Sequence, residues 1–180
     1  MVLTVEDGTG LSGANGFLSV AEYKAHSDDR GVAYSQYADS LIEQAIVRST
    51  DHLSVRWPWA GYKLKERGSP AGEQALAFPR SNLTDEKGYS VANNIVPREI
   101  KKATAEIVHL ELATPGSMSP VYIPSERVKS EKVGPISTEF DLSRTDAASV
   151  IPILTVVQDL VAPFLKRGAG NRLSGGKLRG

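Results

Sequence analysis

The sequence predicts a mainly α-helical domain: a small helical bundle with an irregular aromatic-rich segment, a minor extended or β-hairpin arm and an extended basic C-terminal tail. Three observations carry this reading. Apolar residues recur at spacings of three and four in several separate stretches, the period of helices that bury one face. Both tryptophans fall in a stretch over 57–96 that is rich in Gly, Pro, Asn and Ser and has no sustained period. Five of the 21 basic residues, and none of the 21 acidic ones, fall in 166–180.

The first helix is announced by Ser19-Val-Ala-Glu22, a capping box in which the Ser hydroxyl and Glu carboxylate satisfy amide donors, with Leu18 and Tyr23 at the staple positions. It is expected over about 20–28, after an amino-terminal arm over 1–18. The second helix should begin between Ser35 and Ser40, align Leu41, Ile42, Ala45, Ile46, Ser49 and Leu53 on one face, and end before Pro58. In the irregular segment that follows, Trp57-Pro-Trp59-Ala-Gly61-Tyr62 and Gln74-Ala-Leu-Ala-Phe78-Pro79-Arg80 hold rings that need burial. Trp57, Trp59, Tyr62, Phe78 and Pro79 are therefore the expected structural core.

Pro97 sits where proline favours a helix, at the first turn, and Ile100, Ala103, Ile107 and Leu110 follow on one face to about residue 112. Thr114-Pro-Gly116 stops that helix. Over about 127–140 the sequence predicts a pair of short strands or an arm turned at Gly134-Pro135. A last apolar stripe, Ile153, Leu154, Val157, Leu160, Val161, Phe164 and Leu165, predicts a helix over about 149–165. The division is thus a body over 1–165 and a glycine-rich basic tail over 166–180.

Size and charge exclude several classes. A chain of 180 residues buries roughly two thirds of its unfolded surface and needs no disulfide or metal to fold. It has no cysteine, which removes thiol nucleophiles and thiolate zinc sites. The longest apolar run, near residue 150, is broken by Pro152, Gln158 and Asp159, so no membrane span or membrane partner is expected. Formal net charge is zero. An acidic body with a basic tail is the asymmetry expected when the tail meets a polyanion or an acidic surface.

No motif makes a case for an enzyme or a cofactor. Gly8-Thr-Gly10-Leu-Ser-Gly13 matches the dinucleotide-binding glycine pattern, but Ala14-Asn-Gly16 follows instead of a helix and no alternating strand-helix units exist. A flexible arm with a turn is the reading adopted. In the tail, Gly176 stands where a phosphate-binding loop needs lysine, and Leu178 cannot ligate magnesium. His26, His52 and His109 are far apart in sequence and show no metal-binding spacing, so they are read as surface or helix-face residues. The rings at 57, 59, 62 and 78 are interleaved with Lys63, Lys65, Arg67 and Arg80, a pattern that serves single-strand stacking as well as packing. Neutral net charge gives little general attraction to phosphate, which favours packing.

Ala-Ile-Val-Arg48-Ser-Thr50-Asp51-His-Leu53, the Trp/Gly element and the Gln74 to Arg80 run occur in an order that resembles the tailed-bacteriophage family labelled DnaT-like single-stranded DNA-binding. Glu6-Asp-Gly-Thr-Gly, Ala14 to Glu22, Ile95-Val-Pro97, Val128 to Pro135 and Leu160 to Leu165 extend the resemblance over nearly the whole chain. Gly16-Phe17 in place of Ser-Tyr, and Phe78 in place of Trp, are mild departures. The resemblance implies a virion protein without catalytic activity, a head-to-tail connector in a ring of twelve copies. That ring would attach to the portal protein in the virion neck, having assembled in the host cytoplasm. Its partners would be neighbouring copies, a downstream neck or tail-completion protein, and double-stranded DNA passing through the channel without sequence specificity. In that setting Arg167, Arg172, Lys177 and Arg179 would dock on the portal, and Val128, Val133 and Ile136 are candidate inter-subunit contacts. The alternative is a single-stranded DNA-binding accessory protein in phage replication.

Overall fold

Ser19 opens the first helix, α1 (Val20–Asp28): its hydroxyl accepts the Glu22 N–H at 3.2 Å, and the Glu22 carboxylate accepts the Ser19 N–H at 2.7 Å. The computed structural model describes residues 2–66, 68–70, 72–85, 87–119, 130–133, 136–139, 152 and 154–166. Among the described residues its remaining elements are α2 (Asp39–Arg56), β1 (Tyr62–Lys63), β2 (Arg80–Ser81), α3 (Arg98–Ala113), β3 (Ser130–Val133), β4 (Ile136–Glu139) and α4 (Thr155–Val161). A 3-10 turn, Ala162–Phe164, continues α4. The architecture is mainly helical, as the sequence predicts, with two separate two-stranded antiparallel sheets, β1–β2 and β3–β4.

The helix α3 is central because it is apolar on two sides. Ile100, Ala103 and Ile107 enter one cluster with Phe17, Leu53, Trp59, Phe78, Val157, Val161 and Phe164. Ala105, Val108 and Leu112 enter a second with Leu18, Tyr23, Ile42, Ala45 and Ile46. Thus α1 and α2 cover one side of α3, while the aromatic segment and α4 cover the other. Fully burying side chains of this size stabilises by about 1.5–3 kcal/mol each, so the two-sided α3 anchors the domain.

Three expectations about helices change. Leu41, placed on the apolar face of α2, is 47% exposed, because the stripe begins one residue later at Ile42. Pro97 stands just before α3 as its N-cap. The last helix starts at Thr155 with Leu154 as N-cap, leaving Pro152 outside it.

The amino-terminal arm is ordered by a buried acid. Glu6 is 2% exposed, and its carboxylate accepts N–H bonds from Gly8, Gly10 and Leu11, each at 2.9 Å. Gly8 and Gly10 have φ of 100° and 71°, the left-handed region that glycine tolerates. The glycine pattern therefore builds a cradle of amides around the chain's own carboxylate, a fixed loop in place of the flexible turn that the sequence suggests. Glu6-Oε1 serves both glycines and Oε2 serves Leu11.

The arm expected over about 127–140 falls partly outside the described residues. Within them, β3 and β4 pair in antiparallel register with Val133 opposite Ile136. Val128 lies outside, as do Arg167, Arg172, Lys177 and Arg179 of the basic tail.

Candidate nucleic-acid interface

The aromatic segment separates into rings used for packing and rings left to solvent. Trp59 and Phe78 are buried, with centroids 4.9 Å apart at 78°, and Phe78 meets Phe17 and Phe164 edge-on at 6.1 and 6.2 Å. Trp57 is half-buried, 6.0 Å from the Trp59 ring and edge-on to His52. Pro79 is buried behind a cis Phe78–Pro79 peptide. Tyr62, expected in the core, is 52% exposed: β1 is two residues long and turns this ring outward at the sheet edge.

The polar residues of the same segment hold its backbone. Gln74 is fully buried; its Nε2 donates to the Leu76 and Pro79 carbonyls at 2.9 and 3.0 Å, and its Oε1 accepts the Leu64 N–H at 3.1 Å. Arg80 donates to three carbonyls, Ala60 at 2.6 Å, Gly61 at 2.9 Å and Ala77 at 3.0 Å. Burial pushes its pKa down from the usual arginine value. Lys63 donates to the Gln74 carbonyl at 3.0 Å. Of the cations interleaved with the rings, Arg80 and Lys63 thus close the loop internally, Lys65 is half-exposed, and Arg67 lies outside the described residues.

What the segment presents to solvent is the loop after β2. The Thr84 and Ser90 backbones bridge, and the Asp85 carboxylate accepts the N–H groups of Lys87 at 2.9 Å and Tyr89 at 2.8 Å. This Asx-type turn holds the loop in shape and projects Tyr89, 70% exposed, beside the exposed Lys87. An open cleft of about 620 Å³ lies against the loop, with Lys87 and Arg98 among its polar lining and Val91, Ile95, Pro163 and Phe164 among its apolar lining. The volume lies within the range of roughly 300–1,000 Å³ usual for small-ligand pockets.

Charge at this cleft is local. Arg98 and Glu99 begin α3 there, no side chain caps that helix end, and the positive end of its dipole therefore faces the opening. Arg98 is 83% exposed and pairs with Glu99 at 2.8 Å, an exposed contact of small worth that a phosphate can replace. Chemically, the arrangement offers an apolar floor for a base and two cations, Lys87 and Arg98, set beside the carboxylates of Asp85 and Glu99, with the exposed Tyr89 ring on the same loop as Lys87.

The family comparison points the same way. A family model described as "Putative DnaT-like ssDNA binding protein" matches residues 1–180. The chain belongs to this family. No curated protein and no solved structure matches it. Membership corrects the expectation of a head-to-tail connector: the family's description speaks of single-stranded DNA. Portal protein, a twelve-copy ring, a downstream neck or tail-completion protein and channel-borne double-stranded DNA have no support in it. The order of motifs identified the family; the connector role attached to it did not follow from any residue. Among the described residues, no helix is long and apolar enough to cross a membrane.

Sequence reasoning did not single out Tyr89, Lys87 and Arg98. An exposed tyrosine next to glycine, in an Asp-Glu-Lys-Gly-Tyr turn, was the signal to find. It also missed that His26 and His109 stand together with Glu106, the two imidazole centroids 5.9 Å apart. Glu106-x-x-His109 on one helix face was the signal there.

Proposed function

We propose that the chain is a single-stranded DNA-binding accessory protein that acts by binding and not by catalysis. Family membership over the full length supports the ligand class. The observation that carries the site is an apolar cleft lined by Lys87 and by Arg98 at the uncapped start of α3, with the exposed Tyr89 on the same loop as Lys87. Bases stack on the ring and enter the cleft, while phosphates meet the cations. Tyr62, exposed on the strand pair that leads into this loop, is a second ring open to bases. Arg167, Arg172, Lys177 and Arg179 add phosphate contacts from the tail, the polyanion partner that its charge asymmetry calls for.

Fluorescence anisotropy with a labelled oligothymidylate of about 16 nucleotides, a length within single-strand site sizes, tests the proposal. The expected result is affinity in the micromolar range or better that falls with salt and exceeds affinity for a duplex of equal length. Absence of binding at low salt, or a preference for duplex, would overturn it.

A further inference from the structure

We propose that His26, Glu106 and His109 form a divalent metal site, of the type that takes zinc, which ties α1 to α3. One ligand atom from each of these residues lies within 4.8 Å of the other two. Glu106 and His109 are one turn apart on α3, and His26 approaches from the last turn of α1. His26-Nε2 is already 3.0 Å from Glu106-Oε1. Two imidazoles and a carboxylate are a donor set that zinc accepts, with a fourth position left for water.

The decisive atom is His109-Nε2, which is buried and has no hydrogen-bond partner. The other ring nitrogen, Nδ1, is 2.9 Å from the Tyr23 hydroxyl. In the tautomer with Nδ1–H donating to Tyr23-Oη, the buried Nε2 carries a lone pair without a partner. This is the arrangement in which an outer partner fixes the tautomer of a metal-binding histidine. A buried polar atom without a partner is destabilising, and a coordinated ion removes that penalty.

The ion's competitor is Arg30, whose guanidinium is 3.1 Å from Glu106-Oε1 and 3.2 Å from His26-Nδ1. Its side chain is 39% exposed and can withdraw to water. Coordination through His26-Nε2 requires the ring's remaining proton on Nδ1, the position that the withdrawal of Arg30 leaves free. Ligand atoms around a tetrahedral zinc stand about 3.3 Å apart, given Zn–N distances of about 2.0 Å. Side-chain rotation supplies that contraction.

The test uses the full, untagged chain, stripped with a chelator and titrated with Zn²⁺ by calorimetry, with Co²⁺ as a spectroscopic probe. One ion per chain, a raised melting temperature and visible d–d absorption of a four- or five-coordinate Co²⁺ site are expected. His109→Gln and Glu106→Gln should each weaken binding at least about tenfold, whereas Arg30→Ala should tighten it. Absence of a stoichiometric ion in the wild-type chain, or equal affinity in His109→Gln, would overturn the proposal. Should the variants fail to fold, histidine ring NMR of the wild-type chain decides: Zn²⁺ must shift His26 and His109 and leave His52 unmoved.

Discussion

Arg48 of α2 places its Nε 2.6 Å from the carboxylate of Glu111 on α3, and that carboxylate is 1% exposed. Glu111 also accepts the N–H groups of Gly116 at 2.8 Å and Met118 at 3.0 Å. A single buried acid therefore joins two helices and fastens the chain that leaves the second. Glu111→Ala strands the Arg48 guanidinium and two amides, so a loss of about 3 kcal/mol is expected. Urea unfolding monitored by circular dichroism measures it, and Glu111→Gln should recover part of the loss.

Arg80 gives a different expectation from that of a DNA-contacting cation. Its bonds run to three backbone carbonyls in a forked geometry that lysine cannot reproduce. Arg80→Lys should cost about 2 kcal/mol of stability. Oligothymidylate affinity, measured well below the melting temperature, should change little.

Tyr89 is expected to behave in the opposite way. Its ring is 70% exposed, so Tyr89→Ala should leave stability within about 0.5 kcal/mol of wild type. Single-strand affinity should fall by about 1–3 kcal/mol if a base stacks on it. Paired thermal melts and anisotropy titrations of this variant separate the two effects.

Salt dependence counts the phosphates. For a single strand, removing one cation that neutralises a phosphate should reduce the slope of log affinity against log salt by about 0.7. Lys87→Ala and Arg172→Ala should each flatten the slope by that amount. Titrations from low to moderate salt give the measurement.

Stability should fall in two steps as pH drops. Burial holds the His52 and His109 imidazoles below their ordinary 6.5, so the unfolded chain binds these protons first and stability declines as pH falls from about 6.5. For Glu111, burial pushes the pKa up, but the Gly116 N–H, Arg48 and the Met118 N–H outweigh it and hold the group below its ordinary 4.5. Its stabilisation is present above that value and is lost as pH falls through the lower folded-state pKa. Melting temperatures across pH 7.5 to 3, with His52→Gln expected to flatten the first step, provide the check.

Elements governed by local chemistry were legible in the chain. Ser19 and Glu22 set the start of α1, and the spacing of Ile100, Ala103 and Ile107 defined one face of α3. Roles that depend on carbonyls brought in from elsewhere were not: nothing near Arg80 in sequence marks Ala60 and Gly61 as its acceptors. Tyr62 and Trp59 differ in exposure because of where a two-residue strand turns, a tertiary outcome that composition does not encode. The same holds for His26 and His109, which meet because α1 lies across α3. The cleft needs the 84–90 loop, the start of α3 and the turn after α4 at once, so no single segment announces it.

The cradle around Glu6 has a further consequence for how this molecule responds to ions. A carboxylate sealed among the amides of Gly8, Gly10 and Leu11 already occupies the N–H donors that a solute anion would need. Pyrophosphate or a free nucleotide would find that position taken, and the attachment of the arm should be indifferent to ionic strength. DNA held by Lys87, Arg98 and the tail would let go under the same conditions. The proposed function thus gives one chain two anion-recognising devices with opposite temperaments, one sealed and architectural, the other open and reversible.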